Sequence, residues 1–197
     1  PMNDMESGRG TWYKWGGLND VTRYAESKRW LTSNPYHFGG LGGYSNINIK
    51  ASGIRKGHNL SYASTNRAYR HRLMYTQSTG MMENGWAFAG SVSFRYSQEG
   101  YVDGTFYESM GYYLAAEKQI NANHNLSFSI LGAPTTRGKS GISVQETYDL
   151  TGNNYYNSYW GTQTINGEKV KRNSRQTISH MPIIALTHDW KVNEKSN

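Results

Sequence analysis

The sequence predicts an all-β chain forming an antiparallel transmembrane β-barrel portion of about six strands. Three observations carry that expectation. One stretch alternates strictly between an apolar and a polar face. Shorter stretches of the same kind recur between turn signals. The connections between them alternate in length.

The strict alternation runs from Trp86 to Ser97, WAFAGSVSFRYS. Trp86, Phe88, Gly90, Val92, Phe94 and Tyr96 share one face; Ala87, Ala89, Ser91, Ser93, Arg95 and Ser97 share the other. A strand places successive side chains on opposite faces. A strand crossing a bilayer needs about 9–11 residues at a tilt, aromatic residues at both interfaces and polar residues toward the lumen. This stretch meets that description. An edge or sandwich strand of a water-soluble protein also alternates, so the stretch alone leaves both readings open.

Taken in order, residues 1–37 have no clear period. Asn19 to Tyr24 reads as a short helix or a loop, and Trp12, Trp15 and Trp30 suggest packing against something large. Gly39-Gly40-Leu41-Gly42-Gly43 permits positive φ and close backbone approach. It is not a phosphate loop, because no GKS/T and no GxGxxG leading into a helix is present. Tyr44 to Lys50 alternates, with Ile47 and Ile49 on one face and Asn46 and Asn48 on the other.

From Asn59 the expected barrel strands begin. The first sets Leu60, Tyr62 and Ser64 against Ser61 and Ala63. The second, Tyr69 to Gln77, sets Tyr69, Leu73 and Tyr75 against Arg70, Arg72 and Thr76. Gly80 and Asn84-Gly85 give a hairpin signal before the third, Trp86 to Ser97. The fourth, Met110 to Ile120, sets Tyr112, Leu114, Ala116 and Ile120 against Tyr113, Ala115, Glu117 and Gln119. After a turn at 121–125, the fifth sets Leu126, Phe128 and Ile130 against Ser127, Ser129 and Leu131. Residues 133–177 then lose the rhythm and read as one long loop, which in a compact domain is usually functional or disordered. Ile178 to Val192 is the sixth strand, interrupted by Pro182, a residue suited to a strand start or an edge.

The connections after strands two, four and six are short, and those after three and five are long. The one after strand one is short and breaks the trend. Transmembrane barrels have short periplasmic turns and long outer loops, so the asymmetry favours a membrane barrel over a sandwich. Six strands do not close such a barrel, which starts at about eight. The chain is therefore expected to be an internal piece of something larger. It opens on Pro1 without a leader pattern, consistent with processing or truncation.

Composition agrees. The 197 residues include 16 Tyr, 6 Trp and 22 Gly but only 18% charged residues, which suits β structure with many turns. No run of about 18 apolar residues predicts a membrane helix. Mean hydropathy is −0.78, a value barrels share with soluble proteins because only alternate residues meet lipid. The absence of Cys excludes disulfide scaffolds and thiolate metal sites. The net charge of +7 can attract nucleic acid or anionic headgroups. Only Lys169, Lys171 and Arg172 are closely grouped, however, so solvated turns explain the charge and no nucleic-acid partner is expected.

Three sets of residues resemble a known family. Trp15-Gly16-Gly17-Leu18-Asn19-Asp20-Val21-Thr22-Arg23, followed by Phe38-Gly39-Gly40-Leu41-Gly42-Gly43 and Asn46-Ile47-Asn48, resembles the end of the plug domain of TonB-dependent outer-membrane receptors. Tyr69-Arg70-His71-Arg72-Leu73-Met74, Ser78-Thr79-Gly80 and Asn84-Gly85-Trp86 resemble the second and third barrel strands of that family. Gly132 to Gly138, Gln145-Glu146 and Asn154 to Gly161 resemble a long outer loop of one of its branches. The resemblance implies a C-terminal part of the plug over residues 1–52 and the first strands and loops of the barrel over residues 53–197. Gly39, Gly40, Gly42, Gly43, Asn46 and Asn48 would be the plug motif. It further implies a Gram-negative outer membrane, import of an extracellular nutrient such as a siderophore, glycan or peptide, and TonB engaged through a part of the protein not present here. Outer-membrane lipid would surround the barrel, and a surface lipoprotein is a further candidate partner.

Chemistry is sparse. His37, His58, His71, His124, His180 and His188 form no HxxxH or HExxH spacing, so no metal or cofactor is expected. Asp103, Glu108, Glu146 and Asp149 lie in expected loops, where solvation is commoner than catalysis, and no GxSxG is present; the chain is not expected to be an enzyme. Tyr155, Tyr156, Tyr159 and Trp160 form the densest aromatic patch and are the candidate ligand-binding residues, since such rings stack on sugars or proteins. Packing of those rings against the barrel wall is the simpler explanation for them. Arg70, Arg72, Arg95 and Glu117 would face the lumen and pair with the plug. The alternative from another class is a soluble, Tyr-rich β-sandwich that binds carbohydrate.

Overall fold

The computed structural model describes residues 25–28 and 42–192. Trp12, Trp15, the 19–24 stretch, Trp30, Gly39 and Gly40, about which the sequence sets expectations, lie outside those residues. The fold is mostly β with antiparallel sheets. A two-stranded piece pairs β1 (Ala25–Lys28) with β2 (Tyr44–Ile47). After a 3-10 turn at Ala51–Gly53 come β3 (Gly57–Ser64), β4 (His71–Ser78), β5 (Trp86–Ser97), β6 (Tyr107–Gln119), β7 (His124–Gly132) and β8 (Thr135–Gly138). A helix, α1 (Gln145–Thr151), and a hairpin, β9 (Trp160–Ile165) with β10 (Glu168–Asn173), follow. The chain then returns through β11 (Gln176–Ser179) and β12 (Ile183–Trp190).

The main sheet is an antiparallel meander in which each row pairs with the next along the chain. β7 and β8 make one row. Tyr112 pairs with Gly132 and Ser109 with Thr135, so the register on β6 runs through Ala133-Pro134 without a slip. β11 and β12 likewise make one row against it, since Ser179 pairs with Thr135 and Ile183 with Leu131. The interruptions fall at Pro134 and Pro182, which have no N–H to donate to a ladder. Among the described residues the eight segments therefore occupy six rows, the number expected, and the sheet is open between its edge rows.

The strand expected over Trp86 to Ser97 has those bounds. Two expectations are corrected. Residues 133–177 are not one irregular loop but hold β8, α1, β9, β10 and the start of β11. Tyr69 and Arg70 precede β4 rather than lying in it, and the Tyr69 ring turns inward to meet Tyr107 at 5.7 Å between centroids. There the Arg95 guanidinium stands 5.9 Å from the Tyr69 ring centre.

The two faces of the sheet differ in kind. On β5, β6 and β7 the buried face carries Ala87, Ala89, Ser91, Ser93, Arg95, Ser97, Ser109, Tyr113, Ala115, Glu117, Ser127 and Ser129. Its hydroxyls bond across strands, Thr76 to Ser91 at 2.7 Å and Ser109 to Thr135 at 2.8 Å. The other face exposes Leu73, Phe88, Phe94, Leu114, Phe128, Ile184 and Leu186, with Leu114 59% and Leu186 71% accessible. Large apolar side chains thus point out and small polar ones point in.

Ring-bearing residues bracket that apolar face at both ends. At the end carrying the longer connections, the Tyr62 hydroxyl meets His71 Nδ1 at 2.7 Å and the Tyr112 hydroxyl meets His180 Nε2 at 2.9 Å. At the other end Lys118 Nζ stands 5.0 Å from the Trp86 ring centre. There His124 stacks on both His188 and Trp190. Trp86 and Tyr96 are ten residues apart on β5. At about 3.3 Å per residue and a tilt near 45°, that spans roughly 23 Å, close to the apolar band of roughly 25 Å on a membrane barrel.

Candidate functional site

The connections sort by end. Residues 65–70, 98–106 and 139–175 leave one end of the sheet; 79–85 and 120–123 leave the other. The long end carries a folded platform. β9 and β10 join through Asn166-Gly167, both at positive φ (52° and 85°), the geometry that two-residue hairpins favour. This Asn-Gly was the available sequence signal for the hairpin, and the strand rhythm passed over it.

Two buried asparagines tie the platform down. Asn157 Nδ2 donates to the carbonyls of Asp103 (2.8 Å) and Lys139 (3.2 Å), while its Oδ1 accepts the N–H groups of Gly141 and Tyr159. Asn173 Nδ2 donates to the carbonyls of Gly104 (2.9 Å) and Lys139 (2.8 Å). Each side chain satisfies backbone groups of separate segments that would otherwise be orphaned when buried. Gly104 (φ +70) lies so close to Trp160 that an added Cβ would sit 2.2 Å from the Trp160 Cβ.

The four candidate ligand-binding aromatics share this platform but differ in surroundings. Trp160 is half-buried, with Lys171 Nζ 4.2 Å from its ring centre. Tyr159 is half-buried beside the Arg175 guanidinium, 5.7 Å away. Tyr156 is half-buried and donates its N–H to the Asn153 carbonyl. Tyr155 is 54% exposed and meets Tyr101 edge-on at 6.2 Å. Tyr155 is therefore the most exposed of the four, while Trp160 and Tyr159 brace the platform.

Charge on the platform centres on Glu99. It bonds Lys171 Nζ and accepts the Gly104 N–H at 2.9 Å. These bonds, Lys171 first, hold its carboxyl below the ordinary value of 4.5, against a smaller upward push from burial.

At the opposite end the chain entering the sheet lies against its buried face. Gly42 is exposed and Gly43 (φ 91) leads into β2, where Asn46 stands opposite Glu26. Asn48 Oδ1 accepts the Lys50 N–H at 3.0 Å and turns the chain toward Ala51–Gly53. Ala51 and Ile54 pack on Ala87, Ala89, Ala115 and Leu131. The small alanines let a backbone turn approach the sheet closely. Tyr113 donates its hydroxyl to the Ile49 carbonyl at 2.7 Å, Glu117 accepts the Ser52 N–H at 2.9 Å, and Ser78 donates to the Ile54 carbonyl at 3.3 Å. Lys50 and Asp189 form an ion pair at 2.5 Å.

Of the four charged residues expected to face inward, Glu117, Arg72 and Arg95 do. Arg70 does not; it is exposed in the 65–70 connection, because the chain before His71 is not yet in the ladder. Asp189, Asn125 and Tyr113 were not singled out from sequence, and their alternation with outward residues was the only available signal. Among the described residues no three His, Cys, Asp or Glu side chains gather as metal ligands. Asp103 accepts the Asn153 amide and Asp149 the Gln145 amide, so these acids stand in separate structural bonds. Searches of protein-family models, of curated proteins and of solved structures find no match to this chain.

Proposed function

We propose that this chain is part of the wall of a TonB-dependent outer-membrane receptor, with the last part of its plug over residues 1–52. The whole protein would bind a nutrient outside and import it to the periplasm. The observation that carries the reading is the inverted sheet. Phe88, Phe94, Leu114 and Leu186 face outward in the open, while Ser91, Ser93, Arg95 and Glu117 are buried. A water-soluble sheet gains stability by burying its large apolar side chains; a wall in lipid gains it by exposing them and closing its backbone bonds strand to strand. A carbohydrate-binding sandwich would need that apolar row inside a shared core.

Further support comes from the inward segment at 49–54. It occupies the wet face at the short-turn end, as a plug terminus entering a barrel would. The platform of residues 98–106 and 139–175 stands at the long-loop end, where the exposed Tyr155 would contact a ligand or an accessory protein. The role is capture and passage rather than catalysis.

The test is behaviour in detergent. The purified protein should need micelles to stay monodisperse, and lipid-soluble carbene labelling should mark Phe88, Val92 and Phe94 but not Ser91 or Ser93. A monodisperse protein without detergent, with those rings shielded from the label, ends the reading.

A further inference from the structure

Two imidazoles meet at the end of the sheet that carries the short connections. His124 opens β7, and His188 lies on β12, the row paired with it. Trp190 is the register partner of His124 and Leu126 that of His188, so both rings stand on the outward face. His124 Nδ1 lies 3.1 Å from His188 Nε2, with the ring planes 3° from parallel and the ring centres 5.2 Å apart. The two nitrogens therefore face each other. Spacing along the chain hides the pair, because 64 residues separate its members.

The surroundings fix these rings and leave them to each other. The His124 N–H donates to Asn121 Oδ1 at 2.9 Å, and the His124 carbonyl accepts the Ile120 N–H at 3.0 Å, which sets the turn. The Lys191 N–H donates to the Asn123 carbonyl at 2.9 Å and holds the end of β12 beside it. Trp190 stacks on the His124 ring at 5.7 Å and 19°. Asp189 points to the inner face and pairs with Lys50, so it is not a third ligand. Lys118, opposite Leu126 on β6, reaches the other way, to the Asn84 carbonyl at 2.8 Å and the Trp86 ring.

A neutral imidazole has one N–H and one lone pair. The facing nitrogens thus share one proton, one donating and the other accepting. Moving that proton to the far nitrogen of its own ring leaves two lone pairs 3.1 Å apart. At metal–nitrogen distances of about 2.0–2.1 Å, this separation gives an N–metal–N angle of roughly 100°. That value lies between the square-planar and tetrahedral angles. The final torsion of His is soft, so each ring can tilt its lone pair toward the ion. Imidazole suits copper and zinc, and a given nitrogen site holds Cu2+ most tightly among the divalent ions of the first row.

We propose that His124 and His188 form a two-imidazole site for a borderline divalent transition metal, Cu2+ ahead of Zn2+, with water completing the shell. The ion staples β12, an edge row among the described residues, to β7. The site stands whether the outward face meets lipid or water, because it lies at the strand ends.

The experiment titrates the purified full chain with CuCl2, ZnCl2 and MgCl2 at neutral pH. It reads Trp fluorescence and, for Cu2+, pulsed electron paramagnetic resonance; the stack of Trp190 on His124 places a fluorophore beside the ion. Expected are saturable quenching by one Cu2+ per chain, reversal by EDTA and coupling to two imidazole nitrogens. Zn2+ should compete more weakly and Mg2+ not at all. H124Q and H188Q should each weaken Cu2+ binding at least about tenfold, the scale on which metal sites lose affinity even for an outer-shell contact. H71Q/H180Q, which removes two rings bonded to tyrosines, should leave it unchanged. Hydrogen exchange over 183–190 should slow when the ion is bound. No saturable binding, unchanged affinity in H188Q, or unchanged exchange overturns the proposal. If the variants fail to fold, the nitrogen count on the wild-type chain decides: a single coupled imidazole rejects the site.

Discussion

Glu117 holds Ser52. The carboxylate, 3% exposed on the inner face of β6, accepts the Ser52 N–H through Oε2 at 2.9 Å and the Asn125 amide through Oε1 at 2.7 Å. Both oxygens are thus taken by donors, one from the entering segment and one from the neighbouring strand. The bond matters because it fastens a segment to a sheet strand 65 residues away in sequence.

Glu117→Gln should loosen that fastening. One acceptor becomes an amide N–H₂ facing a donor, and a buried donor left unmet costs about 1–3 kcal/mol. Limited proteolysis around 49–56 should speed up while the protease resistance of β5 and β6 is retained. Unchanged cleavage would show that the Tyr113–Ile49 and Lys50–Asp189 contacts suffice without it.

Val92→Lys separates a lipid-facing wall from a soluble surface. Val92 stands mid-strand on the outward face, between Gly90 and Phe94. A Lys at the bilayer midplane should cost about 2–4 kcal/mol of folding stability in lipid vesicles. On a water-facing surface the same change would stay within about 0.5 kcal/mol. Urea titration of the protein refolded into vesicles reads the difference.

Gly104→Ala should undock the platform. The residue has φ +70, and its Cβ would meet Trp160 at 2.2 Å. A non-Gly residue at left-handed φ costs about 1–2 kcal/mol before any clash. Residues 139–175 should become open to protease, with Trp160 fluorescence shifted to the red, while the main sheet keeps its stability. Retained protection of that segment would contradict the contact.

Acid should release the hairpin from the 98–106 connection. The Glu99 carboxyl is held below 4.5 chiefly by Lys171. A lowered value means that its contribution is complete above 4.5 and is lost as pH falls through the value in the folded state. Hydrogen exchange across 98–106 and 168–173 should therefore be flat from pH 7 to 5 once corrected for intrinsic rates, and should rise below 4.5. Glu99→Gln should show the acid behaviour already at neutral pH.

Strand rows were readable because alternation is local. Six rows appear where six were expected, and Trp86–Ser97 has the bounds that its alternation predicts. Ile178 to Val192 was also readable as one strand, since Pro182 interrupts the ladder without shifting its register. The platform was not readable. Its cohesion depends on Asn157 and Asn173, two polar residues with no periodic signal, bonding backbone groups more than 30 residues away at Asp103, Gly104 and Lys139. Tyr69 was misassigned for a related reason: its spacing fits β4, but the inward contact with Tyr107 is made across the sheet.

By itself, the sequence determined that these rows are β and which side chains share a face, because the pleat couples neighbouring residues with a period of two. It did not determine which face is inside, since alternation is symmetric between a greasy core and a greasy exterior. Tertiary structure decided that, by pairing the rows, laying residues 49–54 over Ala87, Ala89 and Glu117, and leaving Phe88, Phe94 and Leu114 uncovered. The physical reason is that burial belongs to contacts between distant segments, and those exist only once the chain has come together.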